Sequence, residues 1–278
     1  MPVLYSWPSN GSVILYSHDS SNAEVSGAHF MNFLKDVVAV SGADTVAVIA
    51  HSMGTRTLTV ALNEIGARMS STDRPLIKEI ILAAPDVDRD QFLNVAEAVG
   101  RTGLRITLYA SKNDRALQVS KAINGFPRLG DATDGVTVFK GGDSIDASVA
   151  GDDVLAHSYH GETNVLLDLH NVILNGSPPE KRFGLLSQGS PPSKYWVMRP
   201  GLEIARPQAS VRFIARSVAG VRTTPILADC LAQRRIPLEI GIGLYIIQRG
   251  KEAPRWSRSK TTSTWPPWPT SSRRRRSR

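Results

Sequence analysis

The chain has 278 residues, enough for one large core or two modest ones, with 41% hydrophobic residues and a net charge of +8. Its charge is unevenly placed: residues 1–199 hold 17 basic and 21 acidic side chains, whereas residues 200–278 hold 16 and 4. The pI of 9.8 therefore belongs to the tail, which argues against reading the whole protein as a nucleic-acid binder. A single cysteine, Cys230, excludes an intrachain disulfide and a cysteine metal cluster. No apolar run approaches the length of a membrane span, and no basic-then-apolar leader opens the chain. As given, the sequence reads as cytoplasmic, an export signal being lost with any missing N-terminus.

In chain order, residues 2–8 read as a strand closed by Pro8. Over 23–40, Phe30, Phe33, Leu34, Val37 and Val38 recur at helical spacing, and His29 falls off that stripe onto the surface. The β-branched run at 45–50 predicts a strand buried on both faces, followed by a helix with Leu58, Leu62, Ile65 and Met69 inward. Residues 79–84 predict a second such strand, closed by Pro85-Asp86-Val87-Asp88, then a helix over about 90–100. A third strand at 105–110 ends in Ser111-Lys112-Asn113-Asp114, with a helix over 115–124. Val136-Thr137-Val138-Phe139 reads as the last strand, 141–157 as a Gly- and Asp-rich loop, and Val165 to Ile173 as a final helix. Alternating strands and helices imply a doubly wound, mainly parallel α/β sheet, with chemistry gathered beyond the carboxyl ends of its strands. Ser52, Asp86 and Asp114 all fall there.

Beyond Gly176 the pattern decays. The Ser-Pro-Pro stretches at 177–179 and 190–192 and the Arg- and Trp-Pro-rich text from 255 read as linker and disorder, giving a domain over 1–176 and a low-complexity basic extension over 177–278. Residues 236–247 are apolar enough for a strand pair or a sticky element of no assigned function, and Arg273 to Arg276 read as a solvated tail.

The chemistry centres on Ala50-His51-Ser52-Met53-Gly54, where a strand turns sharply into a helix with a serine at the bend. This is the layout of the nucleophile elbow, G-x-S-x-G, with Ala50 in place of the first glycine. Its neighbours must be small because the serine backbone is held in an uncommon conformation. The bend pushes the hydroxyl outward and aims the first helical amides, beginning at Met53, at an oxyanion. A serine hydroxyl needs a base, and the base needs a partner to fix its tautomer. The expected order of serine, acid, histidine is supplied by Ser52, Asp114 and His157. His160 is the alternative base, His170 reads as a surface residue, and His51 is expected to point away from the serine. Capping the following helix is the reading for Asp86 and Asp88, and the rival reading for Asp114.

Tyr5-Ser6-Trp7-Pro8-Ser9, Tyr16 with Asp19, the elbow, Ala84-Pro85-Asp86-Val87-Asp88, Ser111 to Leu117, Arg128-Leu129-Gly130-Asp131 and His157-Ser158-Tyr159 together resemble a bacterial family of alpha/beta hydrolases catalogued as a domain of unknown function and loosely labelled esterase or lipase. The resemblance covers about residues 1–175 and implies a serine hydrolase fold with Ser52, Asp114 and His157 at the triad positions. It implies no substrate. It also implies a further strand ending in His-Gly ahead of Pro2, whose loop offers a second oxyanion amide, so the chain is expected to be N-terminally truncated and to lack its first strands. The tail after about 200 has no counterpart in the resemblance, and its composition suits a shifted reading frame as well as an extension. The reading is a hydrolase of small-molecule carboxylic esters needing no metal or organic cofactor. Its competitor is a catalytically impaired hydrolase-fold protein with a binding role. A nucleotide-binding domain is disfavoured because no glycine-rich phosphate loop follows an early strand.

Overall fold

In the computed structural model, which describes residues 2–10, 15–42, 45–68, 77–149, 163–199 and 242–247, the chain opens with β1 (Pro2–Tyr5), α1 (Tyr16–Ser41), β2 (Thr45–His51) and α2 (Gly54–Arg68). It continues through β3 (Ile77–Ala83), α3 (Arg89–Gly100), β4 (Arg105–Ala110), α4 (Arg115–Asn124), β5 (Gly142–Asp146) and α5 (Thr163–Asn175). After a 3-10 turn at Pro179–Lys181 come β6 (Leu185–Gln188), β7 (Tyr195–Met198) and β8 (Ile242–Ile247). The strands form one eight-stranded sheet in the order β1-β8-β2-β3-β4-β5-β7-β6. Pairings from β2 through β5 to β7 are parallel; β6–β7 and both pairings of β8 are antiparallel.

The central strands are apolar on both faces because both faces are covered. Val46, Val48, Ala50, Ile80, Leu82, Ile106 and Leu108 pack with Phe30 and Leu34 of α1, Leu58 and Leu62 of α2, and Phe92 and Val99 of α3. Their alternates Ala47, Ile81 and Tyr109 pack with Val165, Leu169 and Val172 of α5 and with Trp196. This two-sided burial is the fold's main source of stability, at roughly 1.5–3 kcal/mol for each large aliphatic side chain removed from water. Caps fix the helix starts: Asp88 accepts from the Gln91 N–H at the head of α3, and Asp114 from the Leu117 N–H at the head of α4. Asp19, in the first turn of α1, accepts from Ser9 Oγ at 2.8 Å and from the Asn10 N–H at 2.9 Å, anchoring the segment that follows β1.

Three expectations change. The first strand ends at Tyr5 rather than Pro8. Residues 136–139 are not a strand: Val136 and Phe139 lean on the core as a loop, with Phe139 edge-on to Phe92 at 5.5 Å between ring centroids. The strand beside β4 is instead the polar Gly142–Asp146, joined to that loop where Ser144 Oγ donates to the Thr137 carbonyl at 2.7 Å. A Cβ at Gly142 would run into the Phe139 ring, so a glycine there lets loop and strand lie together. Residues 177–199, read as the start of a linker, hold the β6–β7 hairpin, whose turn carries the second Ser-Pro-Pro stretch.

Of the apolar stretch 236–247, residues 242–247 form a strand whose function is now visible. β8 is bonded on both sides, pairing Ile242 with both Tyr5 and Ala50, and thereby joins β1 to β2. A proline there removes a ladder donor from an interior strand. Gly243→Pro is expected to cost about 3 kcal/mol, a fall of roughly 6–12 °C in thermal midpoint for a domain of this size. Thermal unfolding followed by circular dichroism checks this.

Candidate active site

The parallel register sets the carboxyl ends of three strands level, with His51 beside Ala83 and Ala83 beside Tyr109. Ser52 follows the first of these strands and stands in the left-handed region at φ 50. Such backbone costs a non-glycine residue about 1–3 kcal/mol and persists only where its surroundings hold it. Here the hold is explicit. The Ser52 N–H donates to the Ala83 carbonyl at 3.0 Å, and the Ser52 carbonyl accepts from Thr55 and Asp86 N–H groups, each at 3.1 Å. Ala50 is fully buried and Gly54 buried, so both small flanking residues lie inside the packed turn. Met53 follows at the head of α2, half-buried like Ser52, and its N–H lies at the positive end of that helix.

Asp114 follows β4, two strands from β2, and its side chain is fully buried. Strands two apart in a sheet lie roughly 10 Å apart, a gap that an imidazole can bridge. Its Oδ1 accepts from the Leu117 N–H at 3.0 Å, as the capping reading expects. His157 and His160 lie outside the described residues. His51 is buried as the last residue of β2, while His29 and His170 are exposed on α1 and α5 as expected.

Asp86 corrects the sequence reading. Asp88 caps α3, but Asp86 is the centre of a buried polar network beneath the serine turn. Its Oδ2 accepts from Tyr16 Oη at 2.5 Å and its Oδ1 from Ser120 Oγ at 2.6 Å. Arg56, one helical turn beyond Ser52, donates through Nε to the Asp86 carbonyl at 2.8 Å and through Nη2 to Tyr16 Oη at 3.0 Å. Guanidinium nitrogens of Arg56 and Arg128 lie 3.7 and 3.9 Å from Asp86 Oδ1. Burial acts to lower the Arg56 pKa, but Asp86, Tyr16 and Glu24 reverse it, so the group sits above its ordinary value. Arg128 falls below its ordinary value because burial outweighs Asp86 and Arg56 repels it. Burial and the Asp86 charge raise Tyr16, keeping its hydroxyl a donor.

The segment Arg128-Leu129-Gly130-Asp131 locks the loops after β3 and β4 together. Leu129 and Gly130 N–H groups donate to the Val87 and Pro85 carbonyls at 3.0 Å, and Ser111 N–H donates to the Gly130 carbonyl at 3.0 Å. A Cβ on Gly130 would meet Pro85 and Leu117 at 2.7 Å, which explains the glycine. A separate cavity of about 190 Å³ lies between α5 and the β6–β7 hairpin, lined by Leu167, Asp168, Phe183 and Met198 among others, and contains none of the candidate site residues. Among the described residues no cluster has the makings of a metal site, and no helix is long and apolar enough to cross a membrane.

The model of a family described as an alpha/beta hydrolase of unknown function (DUF900) matches residues 1–174. Searches of curated proteins and of solved structures found no match.

The strain at Ser52 is measurable apart from any chemistry. Ser52→Gly is expected to be more stable than Ser52→Ala by about 1 kcal/mol, because glycine adopts a positive φ without penalty. Urea denaturation of the two variants decides it.

Proposed function

Because the chain belongs to this family of alpha/beta hydrolases, we propose that it is a serine hydrolase of carboxylic esters. Ser52 attacks the ester carbonyl, forming the Ser52–acyl bond through a tetrahedral oxyanion. His157 takes the serine proton and returns it to the departing alcohol. Asp114 orients the imidazole and stabilises its protonated form. The Met53 N–H donates to the oxyanion, aided by the positive end of α2. Water, deprotonated by His157, then cleaves the acyl group and restores the serine. The observation that carries this reading is the left-handed Ser52 at the β2–α2 bend, since strain of that kind at a serine between a strand and a helix is the mark of the elbow. Asp114 at the same edge of the sheet supports it.

A fluorophosphonate probe tests the reading, because it bonds only to an activated serine. Wild-type protein is expected to label at Ser52, and Ser52→Ala to take no label. His157→Ala should slow ester hydrolysis by about 10³-fold or more while His160→Ala stays near wild type; the reverse would move the base to His160. Folded wild-type protein that takes no label would favour a non-catalytic member of the family. The labelling rate should also fall about tenfold per pH unit below about pH 6, as the imidazole protonates and can no longer act as a base.

A further inference from the structure

We propose that Asp86 is a positioning residue for the nucleophile, setting the serine turn through its buried carboxylate without touching substrate; this rests on Ser52 being the nucleophile. The argument begins with the peptide. Two N–H groups hold the Ser52 carbonyl; that of Thr55 comes from the serine's own helix and that of Asp86 from the next strand's loop. Asp86 is thus the point at which the position of the turn is referred to the neighbouring strand.

The side chain fixes that peptide from three directions. Tyr16 comes from the first turn of α1, Ser120 from α4, and Arg56 from α2, where its Nε also holds the Asp86 carbonyl. Asn124 donates to Tyr16 Oη at 3.3 Å, and Arg56 Nη1 reaches Glu24 at 3.2 Å. Tyr16, Ser120 and Arg128 are separated in sequence from Asp86 by tens of residues, yet all converge on one carboxylate that is 3% exposed. A helix cap needs none of this, and Asp88 already caps α3.

The chemistry needs a carboxylate. Both hydroxyls donate to Asp86, so an amide at this position would present an NH₂ to a donor, and two guanidinium groups would lose their shared anion. One hydroxyl must then turn away, and the loop carrying the Asp86 N–H moves with it. A displacement near 1 Å at the nucleophile is enough to cost about 10²-fold in rate.

The test compares Asp86→Asn with Asp168→Asn. The latter disturbs a separate buried cluster, in which Asp168 accepts from Tyr109 Oη at 2.7 Å and pairs with Arg182 at 3.2 Å. Both variants should lose thermal stability. Only Asp86→Asn should speed amide hydrogen exchange at Ser52, Thr55 and Asp86 by about tenfold or more relative to Leu108 in β4, and lower kcat by about 10- to 100-fold with KM changed less than about threefold. Equal loss of kcat in the two variants, or unchanged exchange at Ser52 in Asp86→Asn, overturns the proposal. If Asp86→Asn does not fold, Tyr16→Phe and Ser120→Ala each remove one donor and should show the same exchange pattern with a smaller loss of kcat. Absence of that pattern in both overturns it equally. Failure of wild-type protein to take a fluorophosphonate label would instead sink the nucleophile reading, and the exchange data would still decide whether Asp86 holds the turn.

Discussion

The structure depends on keeping one serine backbone in the left-handed region. Ser52 has a Cβ, so that conformation costs it roughly 1–3 kcal/mol. The stabilisation comes from the sheet. β2 ends level with β3, so the Ala83 carbonyl and the Asp86 amide meet the serine's N–H and carbonyl. A second left-handed residue, Ala84 at φ 47, ends β3 in the same way, its N–H donating to the Tyr109 carbonyl of β4. Each strand end is thus held by the next, and the site inherits its geometry from three parallel strands in register.

Two buried ionic clusters frame that arrangement on opposite sides of the sheet. Asp86 with Arg56 and Arg128 lies among the loops and helices at the serine turn. Asp168 with Arg182 and Tyr109 ties α5 and the turn after it to β4. Burial pushes the Tyr109 hydroxyl well above its usual pKa, the Asp168 charge adding to the effect, and burial also raises Asp168 itself against the pull of Arg182. Such clusters add little net stability compared with an apolar core of the same volume, but removing one partner strands the other's charge. Here each links a helix to a strand or loop that it packs against.

The sequence was most legible where a pattern repeats locally. β2, β3, β4, α3 and α4 follow from β-branched runs and helical spacing, and the Ser52 turn follows from small residues placed between a strand and a helix. Asp114 was legible through chain order, since its position after β4 needed no contact to be known. What stayed hidden depends on distant partners. Gly142–Asp146 is too polar to read as a strand and is one because β4 and the Phe139 loop flank it. Asp86 looks like a cap beside Asp88, and only the convergence of Tyr16, Arg56, Ser120 and Arg128 sets it apart. β6, β7 and β8 pair across proline-rich or basic text whose composition masks short strands.

The placing of β8 has a consequence for assembly. The strand that leads into the serine has one of its two sheet neighbours encoded almost two hundred residues later. Contacts so distant along the chain close slowly, because the loop entropy must be overcome before any bond forms. During synthesis on the ribosome, β2 can bond to β3 at once but keeps an open edge until residue 247 has emerged. Through that interval the nascent chain is open to edge-to-edge aggregation.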